Sequence, residues 1–477
     1  MTFAGPRSGC PSPTGRAWRA LVVAVAMLPL LALVVAGPPV LGHGGADVAG
    51  AATPRPDRPV QPELLDPDPV KGWGVVGYRE QTGIINKSQV WDFAQIGDRL
   101  FVAGSFTGVQ QNYYGVQTPP AVVNQAFLAA FDVDTNEWIA DFRPALNAPA
   151  LALATTPDGK LMVGGAFSTV NGIGRSGIAK LDPSTGQLDG SFSTTTAQDG
   201  ASFPNLVREL AIDGPWLYVA GDFNRVVTGA ERNGVYSVAR VRWDDGRFDH
   251  GWRPRVTGAG VNDVAPEPGR NRVHLAGNFT AVNALPSTAY QSVVSMVDGS
   301  TVTNVNAFQQ DSAQFWEFGV AVNGDKIWTA GSQHHVQVLS GATRALLDWY
   351  RTGTNGTAFN ADGLTLYSGG DMQVVEAIDG FVAAGCHCLK QNYGGINLNA
   401  IHYWSGGNRF SSHAFAIAYD ATTRRPLDFF PRLVGNYYGT WAVGSDTNGC
   451  LYVGGDYRYA TNGLVLGGFA RFCEPVS

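Results

Sequence analysis

Short apolar runs separated by glycine-containing turns repeat along most of this chain of 477 residues. One phrase recurs, an apolar run followed by small residues and often an aromatic, as in LFVAGSF at 100–106 and LYVAGDF at 217–223. Seven copies, spaced by 54 to 70 residues, begin at Leu100, Leu161, Leu217, Val273, Ile327, Phe381 and Leu451. A regular spacing of this size indicates a repeat architecture.

Each repeat predicts four short strands, which we name A to D from the inside of the fold outward. Turn pairs that tolerate positive φ, such as Asp158-Gly159 and Asp213-Gly214, join strands A and B. Four-stranded units with this spacing are the blades of a propeller, in which neighbouring sheets cover each other's faces. We therefore predict an all-β fold, a single β-propeller of seven four-stranded blades.

The two ends of the repeat region predict how the ring closes. After Leu451 the chain has room for strands B and C only, so the seventh blade lacks its outer strand. The segment GWGVVGYRE at residues 72–80 has the pattern of a spare strand. Pairing this N-terminal strand with the seventh blade would close the ring and cover an exposed edge.

The first seventy residues differ from the repeats. Arg7, Arg16 and Arg19 precede an apolar run at 20–36, which is typical of a secretory signal peptide within residues 1–52. An uncleaved anchor is the alternative, because this run just spans a bilayer core. Residues 53–70 are rich in proline and predict an extended, solvated linker. The propeller would then occupy residues 71–477.

The second repeat resembles a known family. Its sequence at residues 163–192 is VGGAFSTVNGIGRSGIAKLDPSTGQLDGSF, and parts of it recur around Asp222 and Asn278. This sequence resembles the delta-sixty repeat of secreted bacterial propellers. The resemblance spans about residues 90–473. It implies a secreted β-propeller but no particular activity, because that family has no single activity to carry over.

Composition narrows the function classes. Hydrophobic residues make up 44% of the chain and charged residues 15%, which excludes a disordered polar protein. The net charge is −6 and the basic residues are scattered, so we expect no nucleic-acid partner. The motifs G-x-S-x-G and H-E-x-x-H and the P-loop are absent, so common local signatures of hydrolases and nucleotide enzymes are missing.

Four of the five cysteines remain after removal of the signal peptide, which suits an oxidising compartment. Cys450 opens strand B of the last blade and Cys473 closes its strand C, so the two ends face each other and a disulfide fits. Cys386 and Cys388 are then left to pair across His387. Zinc binding by these three residues is less favoured, because consecutive residues cannot all reach one tetrahedral ion.

A candidate ligand site lies in the fifth and sixth repeats, which hold most of the histidines. Where other copies have an aromatic after the small residues, these copies have Gln333 and His387. The longest loop between strands B and C follows in the sixth blade, roughly at residues 389–412. A saccharide or protein site is one interpretation, and a self-packed loop is the other. The candidate binding residues are Gln333, His334, His387, Tyr393, His402, Tyr403 and Trp404.

A carboxylate recurs in strand A. Aligned as VWDFA, VRELA, VNDVA, FWEFG and VVEAI, five blades place an acidic residue at one position. The other two blades have Leu151 and Trp441 there. Because strand A lines the central channel, the five could form an acidic ring that binds calcium. The alternative is that each accepts hydrogen bonds from a neighbouring blade. The ring residues are Asp92, Glu209, Asp263, Glu317 and Glu376.

These patterns together predict a secreted, monomeric propeller that binds an extracellular saccharide or protein. Its mature form would not contact a membrane, and calcium is the one cofactor suggested. One alternative is an enzyme with a channel site, either a quinoprotein-like dehydrogenase or a metal-dependent glycan-cleaving enzyme. A structural component of the cell envelope is the other.

Overall fold

The computed structural model describes residues 59–475 except 78–87, 116–117, 201–203, 306–315, 332–334, 353–356, 360–364, 368–371, 379, 387–391, 394–395, 398–399, 404–409, 413–415, 426, 428, 430 and 435–438. The helices among these residues are short 3-10 turns at Pro62–Leu64, Pro268–Arg270 and Pro286–Thr288. None of the described helices has the length and apolar character needed to cross a membrane.

Three antiparallel strands form each blade, with strand B between A and C. Strands A are Gln89–Ile96, Ala150–Thr155, Leu206–Asp213, Val256–Glu267, Glu317–Asn323, Met372–Ile378 and Thr440–Ser445. Strands B are Arg99–Ser105, Leu161–Gly165, Trp216–Asp222, Arg272–Val282, Lys326–Gly331, Phe381–Cys386 and Leu451–Ala460. Strands C are Leu128–Asp132, Ile178–Leu181, Val238–Arg242, Gln291–Ser295, His335–Ser340, Ala416–Asp420 and Leu464–Phe472.

Shorter strands lie at the N-terminus and in the connections. Those before or between strands B and C of the first three blades are Trp73–Val76, Gly108–Gln111, Tyr113–Tyr114, Val123–Asn124, Thr169–Val170, Ile173–Gly174, Thr195–Ala197, Arg225–Thr228 and Glu231–Gly234. Those from the fifth blade onward are Leu346–Thr352, Thr357–Phe359, Thr365–Tyr367, Asn392–Tyr393, Ile396–Asn397, Ala400–Tyr403, Phe410–Ser412 and Leu433–Val434.

The seven strands A form a complete ring. Each contacts the strand A of the next blade, and strand A of the seventh blade contacts that of the first. The ring leaves a central channel lined by strands A. The predicted all-β, seven-bladed propeller is therefore confirmed.

The outer strand D is shorter than predicted in most blades. In the first four blades it is reduced to a single bridge to strand C, as in Leu181 with Leu188 and Val241 with Phe248. The chain then bends inward to bury an aromatic side chain, such as Phe192 or Trp252, in the core. Burying a large aromatic stabilises the fold more than extending an edge strand exposed to solvent. A full strand D is present in the fifth blade at Leu346–Thr352.

Packing between blades explains the recurring phrase. A Cβ on Gly104 would lie 2.3 Å from the carbonyl oxygen of Gln89, and one on Gly221 would lie 2.1 Å from that of Leu206. Strand A thus approaches strand B too closely for any side chain at these positions. The aromatic residues that follow are fully or almost fully buried and fill the space between blades, as the repeat predicts: Phe106, Phe167, Phe223 and Phe279.

Buried arginines on strand C join neighbouring blades. Arg240 pairs with Asp249 and donates to the carbonyl oxygen of Met296 in the next blade at 2.5 Å. Arg471 in the last blade pairs with Asp446 at 2.7 Å and donates to the carbonyl oxygen of Val133 in the first blade at 2.5 Å. Both arginines are buried, so each charge needs these partners.

The ring closes through the N-terminal segment, but with a different pairing from the predicted one. Trp73–Val76 pairs with Gly108–Gln111 of the first blade and packs face to face on the last strand. A Cβ on Gly74 would lie 2.5 Å from the carbonyl oxygen of Gly467, so the two backbones are in direct contact. The predicted pairing of GWGVVGYRE with the seventh blade is therefore wrong.

The residues just before that strand supply the missing outer segment of the seventh blade. The backbone N–H groups of Asp66 and Val70 donate to the carbonyl oxygens of Cys473 and Arg471, at 2.9 and 2.8 Å. Tyr113–Tyr114 of the first blade also pairs with the last strand. The edge is covered by two segments of the first part of the chain.

The described part of the predicted linker packs on the last blade through apolar side chains. Val60 and Leu65 are buried in the core of the last blade, with Phe429, Leu433 and Phe472. These two side chains cover apolar surface of the last blade and remove it from water. Residues 1–52, predicted as a signal peptide, and 53–58 lie outside the described residues.

The predicted disulfide between Cys450 and Cys473 is confirmed, with an S–S distance of 2.06 Å. It joins the start of strand B to the end of strand C, as the antiparallel pairing requires. Cys386 is also disulfide-bonded. Its predicted partner Cys388 lies outside the described residues.

The two leucines of the N-terminal segment test this account of closure. Leu65→Ala removes a buried side chain and should lower the unfolding free energy by about 2 to 5 kcal/mol. Its neighbour Leu64 is 51% exposed, so Leu64→Ala should change it by less than about 0.5 kcal/mol. Urea unfolding of both variants measures the difference. Equal unfolding midpoints would contradict the packing of this segment on the last blade.

Candidate functional site

A β-bulge near the start of strand A determines which side chains face the channel. In the first, third and fourth blades one residue is unpaired, and the acidic residue directly after it pairs with the alanine before the strand B glycine. Asp92, Glu209 and Asp263 thus occupy one register, opposite Ala103, Ala220 and Ala276. Their carboxyl groups interact electrostatically with one another.

Glu317 does not belong to this register. It pairs with Gly331 before the bulge, and Gly319 takes the position opposite Ala330. Its side chain is 1% exposed and accepts a hydrogen bond from Gln291 Nε2 at 2.9 Å. The residue of the fifth blade that is equivalent to Asp92 is therefore Gly319, and the predicted alignment of FWEFG with VWDFA is wrong by two residues. A sequence alignment does not show which residue of a bulge is unpaired.

In the second, sixth and seventh blades, the residue that pairs at the position of Asp92 is also not the one that the sequence alignment predicts. Ala152 and Ala442 hold it in the second and seventh blades, whereas Leu151 and Trp441 are the unpaired residues of the bulges. In the sixth blade Glu376 lies one residue beyond it. The carboxyl of Glu376 still interacts with those of Asp92 and Asp263. Four of the five predicted carboxylates therefore converge in the channel.

Burial in the channel raises the pKa of both Asp92 and Asp263 to about 7. Hydrogen bonds to the ionised form oppose this rise. Asp92 accepts from the backbone N–H of Phe93 at 2.7 Å and of Leu153 at 2.6 Å. Asp263 accepts from the N–H of Val320 at 2.6 Å. The cost of removing a carboxylate from water exceeds what these hydrogen bonds return.

Glu209 and Glu376 have pKa values raised well above the usual range, first by burial and then by repulsion from Asp263 and Asp92. Solvent reaches the side chain of Glu376 even though protein surrounds it, as expected inside an open channel. The mutual repulsion opposes ionisation of all four carboxyl groups together, so the group holds protons near neutral pH.

Two of the carboxylates connect neighbouring blades. Leu153 belongs to the blade after that of Asp92, and Val320 to the blade after that of Asp263. These contacts support the alternative in which the carboxylates accept hydrogen bonds between blades. Among the described residues no group of three or more acidic, His or Cys side chains is arranged to hold a metal ion. Calcium binding by the ring stays a prediction.

Aromatic side chains lie at the channel entrance, which the sequence analysis did not identify as a site. Trp91, Phe318 and Trp441 are the unpaired residues of their bulges, one position before the carboxylate register. The ring centroids of Trp91 and Trp441 are 5.0 Å apart, and those of Phe318 and Trp441 are 5.7 Å apart. We call these three residues the aromatic rim. The signal was present as an aromatic beside the ring position in three strands A.

The predicted ligand loop of the sixth blade extends the sheet of the fifth. Ala400–Tyr403 pairs with Leu346–Thr352, so that His402 lies opposite Arg351 and Tyr403 opposite Tyr350. Tyr393 lies in a separate two-residue strand that pairs with Ile396–Asn397. Gln333, His334, His387 and Trp404 lie outside the described residues. A ligand site in this loop stays a prediction.

Exposed apolar side chains concentrate in the loops between strands B and C. These loops leave the ring on the side where strands A begin, because strand B runs antiparallel to strand A. We call this side the loop face. Arg255 lies 5.7 Å from the ring centre of Tyr236, and Arg458 lies 5.7 Å from that of Tyr459. Five blades contribute exposed large apolar residues to this face: Tyr114, Val122, Ile173, Tyr236, Leu285 and Tyr459.

Comparison with known proteins agrees with the fold. A family model described as a domain of unknown function (DUF5122) beta-propeller matches residues 156–192. A search of curated proteins finds no match to the chain.

Similar solved structures include the WD40 β-propeller domain of Doa1, at 10% identity and a TM-score of 0.44, over 85% of this chain and 98% of that one. U3-55K is similar at 13% identity and a TM-score of 0.47, over 84% and 98%. The WD40 repeats of RRP9 have the same identity and TM-score, over 84% and 99%.

The raised pKa values predict a dependence of stability on pH. The pKa of Asp92 and Asp263 rises on folding from 3.8 to about 7, so the folded state binds protons more tightly. Their contribution is therefore full below about pH 4 and is lost as pH rises through about 7. We expect the double variant Asp92→Asn, Asp263→Asn to show a smaller fall in unfolding free energy over this range.

Urea unfolding at several pH values measures this slope for the parent and the double variant. The matched control is Asp98→Asn, whose carboxylate is 61% exposed and should leave the slope unchanged. A double variant with the slope of the parent would show that these two carboxyl groups do not titrate differently in the folded protein.

Proposed function

We propose that this propeller is a secreted extracellular binding module that takes a saccharide or protein ligand on its loop face. The concentration of exposed apolar side chains in the B–C loops is the observation that carries the proposal. Apolar side chains exposed together on one side of a protein are a feature of surfaces that contact a partner. Secretion is supported by the sequence features of residues 1–52.

The composition of the loop face favours a saccharide first. Tyr236 and Tyr459 are exposed, and each has an arginine near its ring. A flat aromatic ring beside a guanidinium offers both an apolar surface and hydrogen-bond donors to a hydroxylated ligand. The same pairs of residues are common in protein interfaces, so a protein ligand is the second outcome of the test.

The propeller scaffold suits this role. The inner strands and the buried arginines hold neighbouring blades rigidly, and the loops project from one side. A rigid scaffold that presents variable loops is the usual arrangement of a binding site on such folds. We propose that the protein acts as a monomer and needs no organic cofactor for binding.

The loop-face prediction uses binding of the purified secreted protein to a glycan array and to a panel of cell-surface polysaccharides. Tyr236→Ala and Tyr459→Ala should each weaken binding to the recognised glycan about tenfold or more, because aromatic side chains that contact a ligand supply much of its binding energy. The N-terminus of the secreted protein, determined by sequencing, should lie between residues 37 and 53.

A matched control lies away from the loop face. Val297 is 73% exposed in the turn after strand C of the fourth blade, at the opposite side of the ring. Val297→Ala should leave binding unchanged. If Val297→Ala weakens binding as much as the two tyrosine variants, the loop face is not the binding surface. Retention of the protein inside the cell would contradict secretion.

A further inference from the structure

We propose that the aromatic rim at the channel entrance binds an organic ammonium group, held on the exposed ring surfaces of Trp91, Phe318 and Trp441. This inference rests on the proposed function, because it names a chemical group that the loop face recognises at its centre. It adds a site that the exposed loop residues do not form.

The rim has the geometry that cations require of aromatic rings. The planes of Trp91 and Trp441 meet at 62°, and those of Phe318 and Trp441 at 76°. Rings that meet edge to face in this way leave part of each ring face uncovered by the other ring. All three side chains are partly exposed. A cation within about 6 Å of such ring faces is attracted by their quadrupoles, most strongly by tryptophan.

Each ring comes from a different blade but occupies the same structural position. The first, fifth and seventh blades supply Trp91, Phe318 and Trp441, each as the unpaired residue of a bulge. Bulges redirect side chains and are frequent beside binding sites. The indole Nε1–H of Trp91 donates to Ser105 Oγ at 2.9 Å, which fixes the orientation of that ring.

The carboxyl groups below the rim favour a cation over a neutral or anionic ligand. Asp92 follows Trp91 directly, and its carboxyl interacts with those of Glu209, Asp263 and Glu376. These groups hold protons near neutral pH, and a cation bound beside them stabilises their ionised form. The basic residue among the seven bulge positions is Arg208 in the third blade, and its guanidinium is paired with Asp222 at 2.7 Å.

The rim also has an unused donor. The Nε1–H of Trp441 is shielded from solvent and has no hydrogen-bond acceptor among the described residues. A buried N–H without an acceptor costs free energy, so a ligand oxygen near the ammonium group would be stabilising there. Quaternary ammonium alcohols such as choline carry both groups.

Titration calorimetry of the full secreted protein tests the inference with two probes. Choline carries the ammonium group, and 3,3-dimethylbutan-1-ol has the same shape without the charge. We expect choline to bind and the neutral alcohol to bind at least about tenfold more weakly, because the ring quadrupoles act on the charge. Equal binding of the two probes, or no binding of choline, overturns the inference without requiring any variant.

Variants then locate the site. Trp441→Leu and Phe318→Leu keep an apolar side chain but remove the ring, and each should weaken choline binding about fivefold or more. Trp243→Leu is the control, because Trp243 is a partly exposed tryptophan on the side of the ring opposite the rim, where its Nε1–H donates to the carbonyl oxygen of Gly214. It should leave choline affinity unchanged. Thermal melting verifies that each variant is folded. Loss of choline binding in Trp243→Leu but not in the rim variants would overturn the assignment.

The source of the ammonium group is distinguished by a third probe. A short peptide with trimethyllysine that binds at least tenfold more tightly than choline identifies a protein side chain as the ligand, and equal or weaker binding identifies a free small molecule. The two proposals are tested separately. If the loop face binds the glycan, Tyr459→Ala should lose glycan binding and Trp441→Leu should keep it. If the glycan does not bind, choline binding at the rim can still be measured, so either proposal can fail alone.

Discussion

The fold depends on one unpaired residue near the start of each inner strand. This bulge brings the strand A carbonyl against strand B, where only glycine fits, as at Gly104 and Gly221. The bulge also directs the side chain of the unpaired residue, such as Trp91, to the channel entrance, and the side chain of the following residue, such as Asp92, into the channel. The recurring small residues, the converging carboxylates and the aromatic rim are three results of this single local distortion.

Most of the fold could be predicted because it depends on local patterns that repeat. Turn pairs, apolar strands and a nearly constant spacing specify the blades, and the Cys450–Cys473 pair follows from two strand ends that must be adjacent. The register of the channel could be predicted only in part. Glu317 and Asp92 occupy the same position in the sequence alignment. The unpaired residue of the bulge precedes Asp92 but follows Glu317, and this is seen only in the backbone pairing.

The chain ends were harder to predict, since their pairing depends on tertiary surface rather than on local pattern. GWGVVGYRE has the alternation of a strand, but nothing in its sequence states which sheet it joins. The prolines before it suggested a solvated spacer. Val60 and Leu65 are buried because the last blade exposes apolar surface that must be covered, a requirement set by a sequence some four hundred residues away.

That long separation has a consequence for the order in which the molecule forms. The segment that covers the last blade is synthesised before any blade, and its partner strand follows strands A and B of the seventh blade. Until that strand exists, Asp66 and Val70 have none of the carbonyl groups to which they donate in the folded protein. These hydrogen bonds can therefore form only after all seven blades have been synthesised, and the ring stays open until then.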